Sequence, residues 1–267
     1  MKMTIKRILL IALILNFFAY FGNLCQAVLA ASKSTLDDSA LKDLVRADQK
    51  LGDYSPGLKQ LKQYAKDAAE LESYTVKIKI WTFKKSGTRL DGGLFHYLQP
   101  DLVKVKVTEG KRKGSTVVRR KDGKIKGHMN NAFKVFVRTL QPDSKRLYAT
   151  NGYHLLNSDL ASLLSRAVKE AKGPGTVLIS NSPVMVEMAR SRKRTEKVKS
   201  RIIELYDSTD QKCLTTRIYL DSDTNLPVQW CDYKDNKPCF ITRFIDLNMD
   251  KELTCKNFDL GFHIPVP

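Results

Sequence analysis

Histidine is scarce in this chain of 267 residues. The four that occur, His96, His128, His154 and His263, stand far apart, and none sits in a metal-ligand spacing or beside a Gly-x-Ser-x-Gly turn. No two cysteines have the Cys-x-x-Cys spacing of a zinc or redox site. Gly110-Lys-Arg-Lys-Gly114 lacks the Lys-Ser/Thr ending and the following helix of a phosphate loop. The carboxylate pairs Asp221/Asp223 and Asp232/Asp235 fall in turn-forming stretches, where local turn chemistry accounts for them. No constellation for hydrolysis, metal binding or cofactor binding remains, so the expectation is a non-enzymatic protein with no cofactor.

A long apolar run is also missing after the first 30 residues, so the rest of the chain offers no membrane-spanning helix. The N-terminus itself reads as an export signal. Lys2, Lys6 and Arg7 precede an apolar stretch from Ile8 to Phe21, and Val28 and Ala30 stand at −3 and −1 of a cleavage site. A retained membrane anchor is the alternative. Cys25 follows Leu24, not the small residue that lipoprotein processing takes. The expected organisation is a signal peptide over 1–30 and a single domain over 31–267, working in the periplasm.

Export changes how the remaining cysteines read. Cys213, Cys231, Cys239 and Cys255 are even in number and confined to the last quarter of the chain, which suggests disulfides with three possible connectivities. Consecutive pairing, Cys213 with Cys231 and Cys239 with Cys255, is the working choice. The formal charge is +18, and removing the leader's three cations leaves about +15. Such a balance suits a polyanionic neighbour such as an anionic membrane surface or an envelope partner, and export argues against nucleic acid.

Periodicity supplies the elements. Leu41, Leu44 and Val45 make one helical stripe, and Leu58, Leu61, Tyr64, Ala65, Ala68 and Leu71 make a second, with Ser55-Pro56 as its expected start. The period then becomes two: Tyr74, Val76, Ile78 and Ile80 alternate with Thr75, Lys77, Lys79 and Trp81. Short strands follow over 93–98, 102–108 and 115–120, joined by turns too short for crossover helices. A helix is expected over 157–171, capped by Asn157 or Ser158, and the sheet resumes near 184–189. Five more strands are expected over 201–206, 214–220, 226–233, 240–247 and 253–258. The fold class is therefore α+β: one antiparallel sheet of roughly ten strands, covered by a helix pair and one inserted helix.

Several stretches carry a resemblance. They are Tyr74-Thr-Val-Lys-Ile-Lys, the run from Gly93 to Val107 with its central Gln-Pro-Asp, Val117-Val-Arg-Arg-Lys-Asp-Gly-Lys, and a C-terminal series. That series comprises Ile218-Tyr-Leu-Asp, Leu226-Pro-Val, Tyr233-Lys-Asp-Asn, Phe244-Ile-Asp-Leu-Asn and Phe258 through Pro265. In this order they resemble the periplasmic lipoprotein-carrier superfamily of LolA/LolB-like proteins, in an uncharacterised-domain branch of it. The resemblance implies a half-open barrel with a helical lid, whose concave apolar interior holds a hydrophobic ligand such as lipid or lipoprotein acyl chains.

On this reading the ligand-facing set is Tyr74, Val76, Ile78, Ile80, Val103, Val105 and Val107, with Phe133 and Phe136, beside Met129, as lid residues. A packed core has the same pattern. Lys77, Lys79, Lys104, Lys106, Arg119 and Arg120 are expected on the outer face, where they would dock onto anionic head groups. The competing reading is a monomeric envelope adaptor that uses this basic face over a dry core.

Overall fold

A computed structural model describes residues 38–49, 51–129, 137–171, 176–191, 194–210, 213–249 and 252–260. The expected signal peptide, Phe133, Phe136 and His263 lie outside the described residues. In chain order the elements begin with helix α1 (Asp38–Asp43), strand β1 (Tyr54–Pro56) and helix α2 (Leu58–Ala69). Strands β2 (Ser73–Lys84), β3 (Gly87–Leu98), β4 (Leu102–Glu109), β5 (Thr116–Arg119), β6 (Ile125–His128) and β7 (Arg138–Leu140) follow. Helix α3 (Leu160–Glu170) then leads to β8 (Val177–Ser180), β9 (Val184–Ser191), β10 (Arg194–Tyr206), β11 (Leu214–Asp221), β12 (Pro227–Lys234) and β13 (Lys237–Asn248).

The architecture is α+β, a single antiparallel sheet of 13 strands in the order β1-β8-β10-β11-β12-β13-β2-β3-β4-β5-β6-β7, with β9 paired to β10. It does not close, because β1 and β7 are its two edges. It does curl. One continuous apolar cluster gathers Val177, Ile179 and Ile203 from one end of the strand order and Val117 and Ile125 from the other. Leu61, Tyr64 and Ala68 of α2 and Leu160, Leu163, Leu164 and Ala167 of α3 fill this concave side. The 3.6-residue spacing of those side chains puts them on one stripe of each helix, as the sequence requires.

The sequence reading needs several corrections. Ser55-Pro56 does not start a helix; it belongs to β1, where Ser55 pairs with Ile179, and Gly57 precedes α2 without a side-chain cap. Asp159, not Asn157 or Ser158, caps α3, its carboxylate accepting from the Ser162 amide at 2.8 Å. Residues 253–258 form no strand but a 3-10 turn at Cys255–Phe258. There Phe258 and Leu253 pack on Leu102 and Val118, which satisfies their apolar pattern without a ladder.

The largest departure is on the convex side. Alternation on β2 suggests that Trp81 faces solvent with Lys77 and Lys79, yet Trp81 is only 1% exposed. It belongs to a second apolar cluster with Leu41, Val45, Ile202, Tyr219, Cys231, Tyr233 and Ile241. Two pieces of chain cover it. One is α1 and the segment after it. Arg217 clamps that segment by donating to the carbonyls of Arg46 at 2.9 Å and Ala47 at 3.1 Å. The other is the β9–β10 hairpin, whose Val186, Met188 and Ala189 join the cluster.

Candidate functional site

The concave residues of β2, β3 and β4 meet two different partners along their length. Near the β2 start, Tyr74, Val76 and Val103 are packed core. The Tyr74 ring stacks on Tyr97 at 5.2 Å, and its hydroxyl oxygen accepts from the Leu160 amide at 2.9 Å. Toward the other end, Ile78, Ile80, Val105 and Val107 line a cavity of about 80 Å³, with Phe95, Trp230 and Phe244. Gly93 lies in register between Ile78 and Val107 and contributes no side chain to this row, which helps leave the space. The described members of the expected ligand-facing set therefore lie on one face, but the structure divides them between packed and open positions.

Among the described residues, Leu163 of helix α3 and one irregular segment close the cavity from above. That segment is a strap of residues 141–158 containing 3-10 turns at Lys145–Leu147 and Leu155–Asn157 and a bridge between Tyr148 and His154. Leu147 and Leu156 are fully buried and anchor it, and Ala149, Thr150, Asn151 and Tyr153 face the cavity. Polar contacts fasten it to the sheet. Asn151 donates to Thr242 Oγ1 at 3.2 Å and the Tyr153 hydroxyl to Asp232 Oδ1 at 2.8 Å. Arg112, from the β4–β5 loop, donates to the carbonyls of Arg146 at 2.7 Å and Tyr148 at 2.5 Å. Gly110 gives that loop its shape: its φ of +90° is left-handed, and a side chain there would overlap the Asp91 carboxylate.

A second pocket of about 410 Å³ lies beside it, and Val107, Arg112 and Leu155 border both spaces. Its apolar wall includes Val117 and Leu140, and Gly127 leaves a gap in the concave row as Gly93 does. Met129, expected near a lid, borders this pocket and is 54% exposed.

Sequence reasoning missed Asp232. It is not a hairpin-tip residue but a β12 side chain on the concave face, accepting from Tyr153 and, at 3.0 Å, from Trp230 Nε1. Its Oδ2 is shielded from solvent and has no partner. Burial pushes its carboxyl up to about 6, against the two hydrogen bonds that favour the ionised form. Nothing local in Trp230-Cys-Asp232 signals this, because the partner Tyr153 comes from the strap.

The expected basic face is only partly free. Lys77 pairs with Asp246 at 2.7 Å and Lys79 with Glu109 at 3.0 Å. Lys104 donates to the carbonyls of Asn257 at 2.8 Å and Asp259 at 2.9 Å, and burial lowers its pKa. Arg119 is not on the outer face. It pairs in register with concave Val103 and donates to the Asp101 carbonyl at 2.7 Å and to Asn157 Oδ1 at 3.1 Å. Adjacent strand residues point to opposite faces, so Arg119 and Arg120 do not share one. Lys106 and Arg120 remain exposed.

The cysteines expected as bridges are free thiols. Cys231 is buried in the convex cluster, and Cys255 is exposed in the C-terminal turn that packs on Leu102 and Val118. Among the described residues no group of three or more His, Cys, Asp or Glu side chains is placed to hold a metal ion.

No family model and no curated protein matches the chain. Solved structures do. An uncharacterised conserved protein from Thermus thermophilus matches with 7% identity and a TM-score of 0.40 over 75% of this chain and 91% of that one. A LolA superfamily protein from Nitrosomonas europaea matches with 12% identity and a TM-score of 0.37, over 76% and 97%. The Pseudomonas aeruginosa MucA/MucB complex matches with 12% identity and a TM-score of 0.42, over 78% of this chain and 62% of that one.

Proposed function

We propose that this chain is an exported, non-enzymatic carrier or binding protein that holds the apolar part of a lipid or acylated protein between its concave sheet face and the strap. One observation carries the reading: an apolar space persists under the strap, beside a larger apolar pocket that shares Val107, Arg112 and Leu155 with it. A cavity of about 80 Å³ is below the roughly 300–1,000 Å³ of small-molecule sites, whereas the outer pocket of about 410 Å³ is within it. Together they suit a long, thin apolar group. Each methylene moved from water into such a site contributes about 0.8 kcal/mol.

The strap is the element that must yield to admit a tail, because single hydrogen bonds from Asn151, Tyr153 and Arg112, and no strand ladder, tie it to the sheet. The periplasm is the compartment this reading assigns. The adaptor reading is weakened by the ion pairs that occupy Lys77 and Lys79. Lipid extraction of the chain purified from envelope, followed by mass spectrometry, tests the proposal: a stoichiometric acyl-containing species is expected, and it should be lost in Ile78→Asp. A lipid-free protein that also fails to take up added acyl probes contradicts it.

A further inference from the structure

Resting on that reading, we infer that the ligand is a single-chain amphiphile with an anionic head group, held at the mouth of the outer pocket by Arg138 and Arg146. Arg112, Arg138, Arg146 and His128 all border this pocket, and no Asp or Glu does. Several other arginines of the sheet are matched: Arg89 with Asp91, Arg190 with Glu196 and Asp246, and Arg217 with Glu204. Arg138 and Arg146 are exposed and have no carboxylate within ion-pair distance among the described residues. Arg112 spends its donors on two backbone carbonyls, so its charge too is left without a counter-ion. Positive charge is therefore concentrated where the apolar pocket meets solvent.

The exposed apolar residues gather at the same place. Among the described residues five large hydrophobic side chains are exposed; Met129 (54%) borders this pocket, Val137 (39%) directly precedes its Arg138, and Tyr148 (41%) accepts through its carbonyl from its Arg112. An apolar patch rimmed by unpaired guanidinium groups fits a molecule that is apolar and anionic at once. The order of the site sets its orientation. A tail would run from Leu140 and Val117 past Val107 and Leu155 into the inner cavity, leaving the head group at Arg138 and Arg146. The inner cavity, about 80 Å³, has room for one tail and not two. A carboxylate and a phosphate monoester share the required chemistry.

The test is equilibrium binding of hexadecanoate, hexadecyl phosphate and neutral monopalmitoylglycerol to the purified chain, each below its aggregation concentration. Both anionic probes should bind at least tenfold tighter than the glycerol ester, and the tighter of the two names the head-group class. The Arg138→Glu/Arg146→Glu variant should bring the anionic probes down to the level of the neutral one and leave the neutral probe unchanged. Both positions are exposed, so melting temperature should hold; Arg138→Gln/Arg146→Gln gives a milder check. Equal affinities for charged and neutral probes would overturn the head-group inference while leaving the carrier reading intact. Failure of every probe to bind overturns both. Loss of binding to phosphatidylglycerol vesicles in the variant, with hexadecanoate binding unchanged, would assign the arginines to a membrane and also overturn the inference.

Discussion

The two faces of the sheet are built from the same alternating strands and end up as opposites. The convex face is closed by charge as well as by apolar packing. Arg217 is 1% exposed and pairs at 2.7 Å with Glu204, itself 5% exposed, while it stacks near Tyr233 and holds the segment after α1. A second chain of ion pairs runs from Lys77 through Asp246, Arg190 and Glu196 to Arg243, and it pins the β9–β10 hairpin to β13. Among the described residues the concave face has helices over one end only. At the other end a strap with only short 3-10 turns spans the strands, with two glycines and two neighbouring spaces beneath it. The difference teaches where rigidity and adaptability lie. Buried ion pairs fix one geometry, because breaking one leaves an uncompensated charge, whereas the strap is held by individual hydrogen bonds and two leucine anchors with no strand ladder to the sheet.

Removing one partner of the convex pair should give the largest effect. Arg217→Ala strands Glu204 in the interior and should lower stability by about 3–5 kcal/mol in urea unfolding. Replacing both residues, as in Arg217→Met/Glu204→Leu, should recover most of it. A loss under 1 kcal/mol for the single variant would mean that the convex face is not held by this pair.

On the concave face, Ala149→Leu fills the inner cavity from the strap. It should weaken acyl-probe binding by tenfold or more while moving unfolding free energy by less than about 1.5 kcal/mol. Equal binding in this variant would show that the inner cavity is not used. Asp232 gives the next effect. Its folded pKa of about 6 is raised by burial, so the folded state binds the proton more tightly than the unfolded chain does. Stability tied to this group is fully present below about pH 4 and is lost as pH rises through 6. Asp232→Asn keeps an acceptor for Tyr153 and should gain on the native chain across that interval by about 1–3 kcal/mol. A constant difference from pH 4 to 7 would contradict this. The smallest effect is expected at Lys106→Glu and Arg120→Glu, within about 0.5 kcal/mol in stability and with no change in acyl-probe binding.

The sequence made the concave face legible because its signal is local. Tyr74, Val76, Ile78 and Ile80 repeat with the period of a strand, and Leu61, Tyr64 and Ala68 with that of a helix. What covers each face was not legible. Trp81 is buried by α1 and by a hairpin more than 100 residues away in the chain, and no period in 73–84 encodes that contact. Lys77 and Lys79 look free in the sequence because Asp246 and Glu109 reach them only through strand pairing. Arg119 follows from register alone: its alignment with Val103 sets its face. The strap escaped notice because residues 141–158 carry isolated anchors, Leu147 and Leu156, and no periodicity. The cavity is a matter of what the strap leaves unfilled, which a strand pattern does not distinguish from a packed core.

The most direct test is native mass spectrometry of the chain purified from envelope without detergent, with extraction and identification of what it releases. The account predicts one bound molecule per chain, a single-tailed acyl species with an anionic head group, absent from Ile78→Asp. A bare protein mass, with no acyl species in the extract and no uptake of added hexadecanoate, would contradict it.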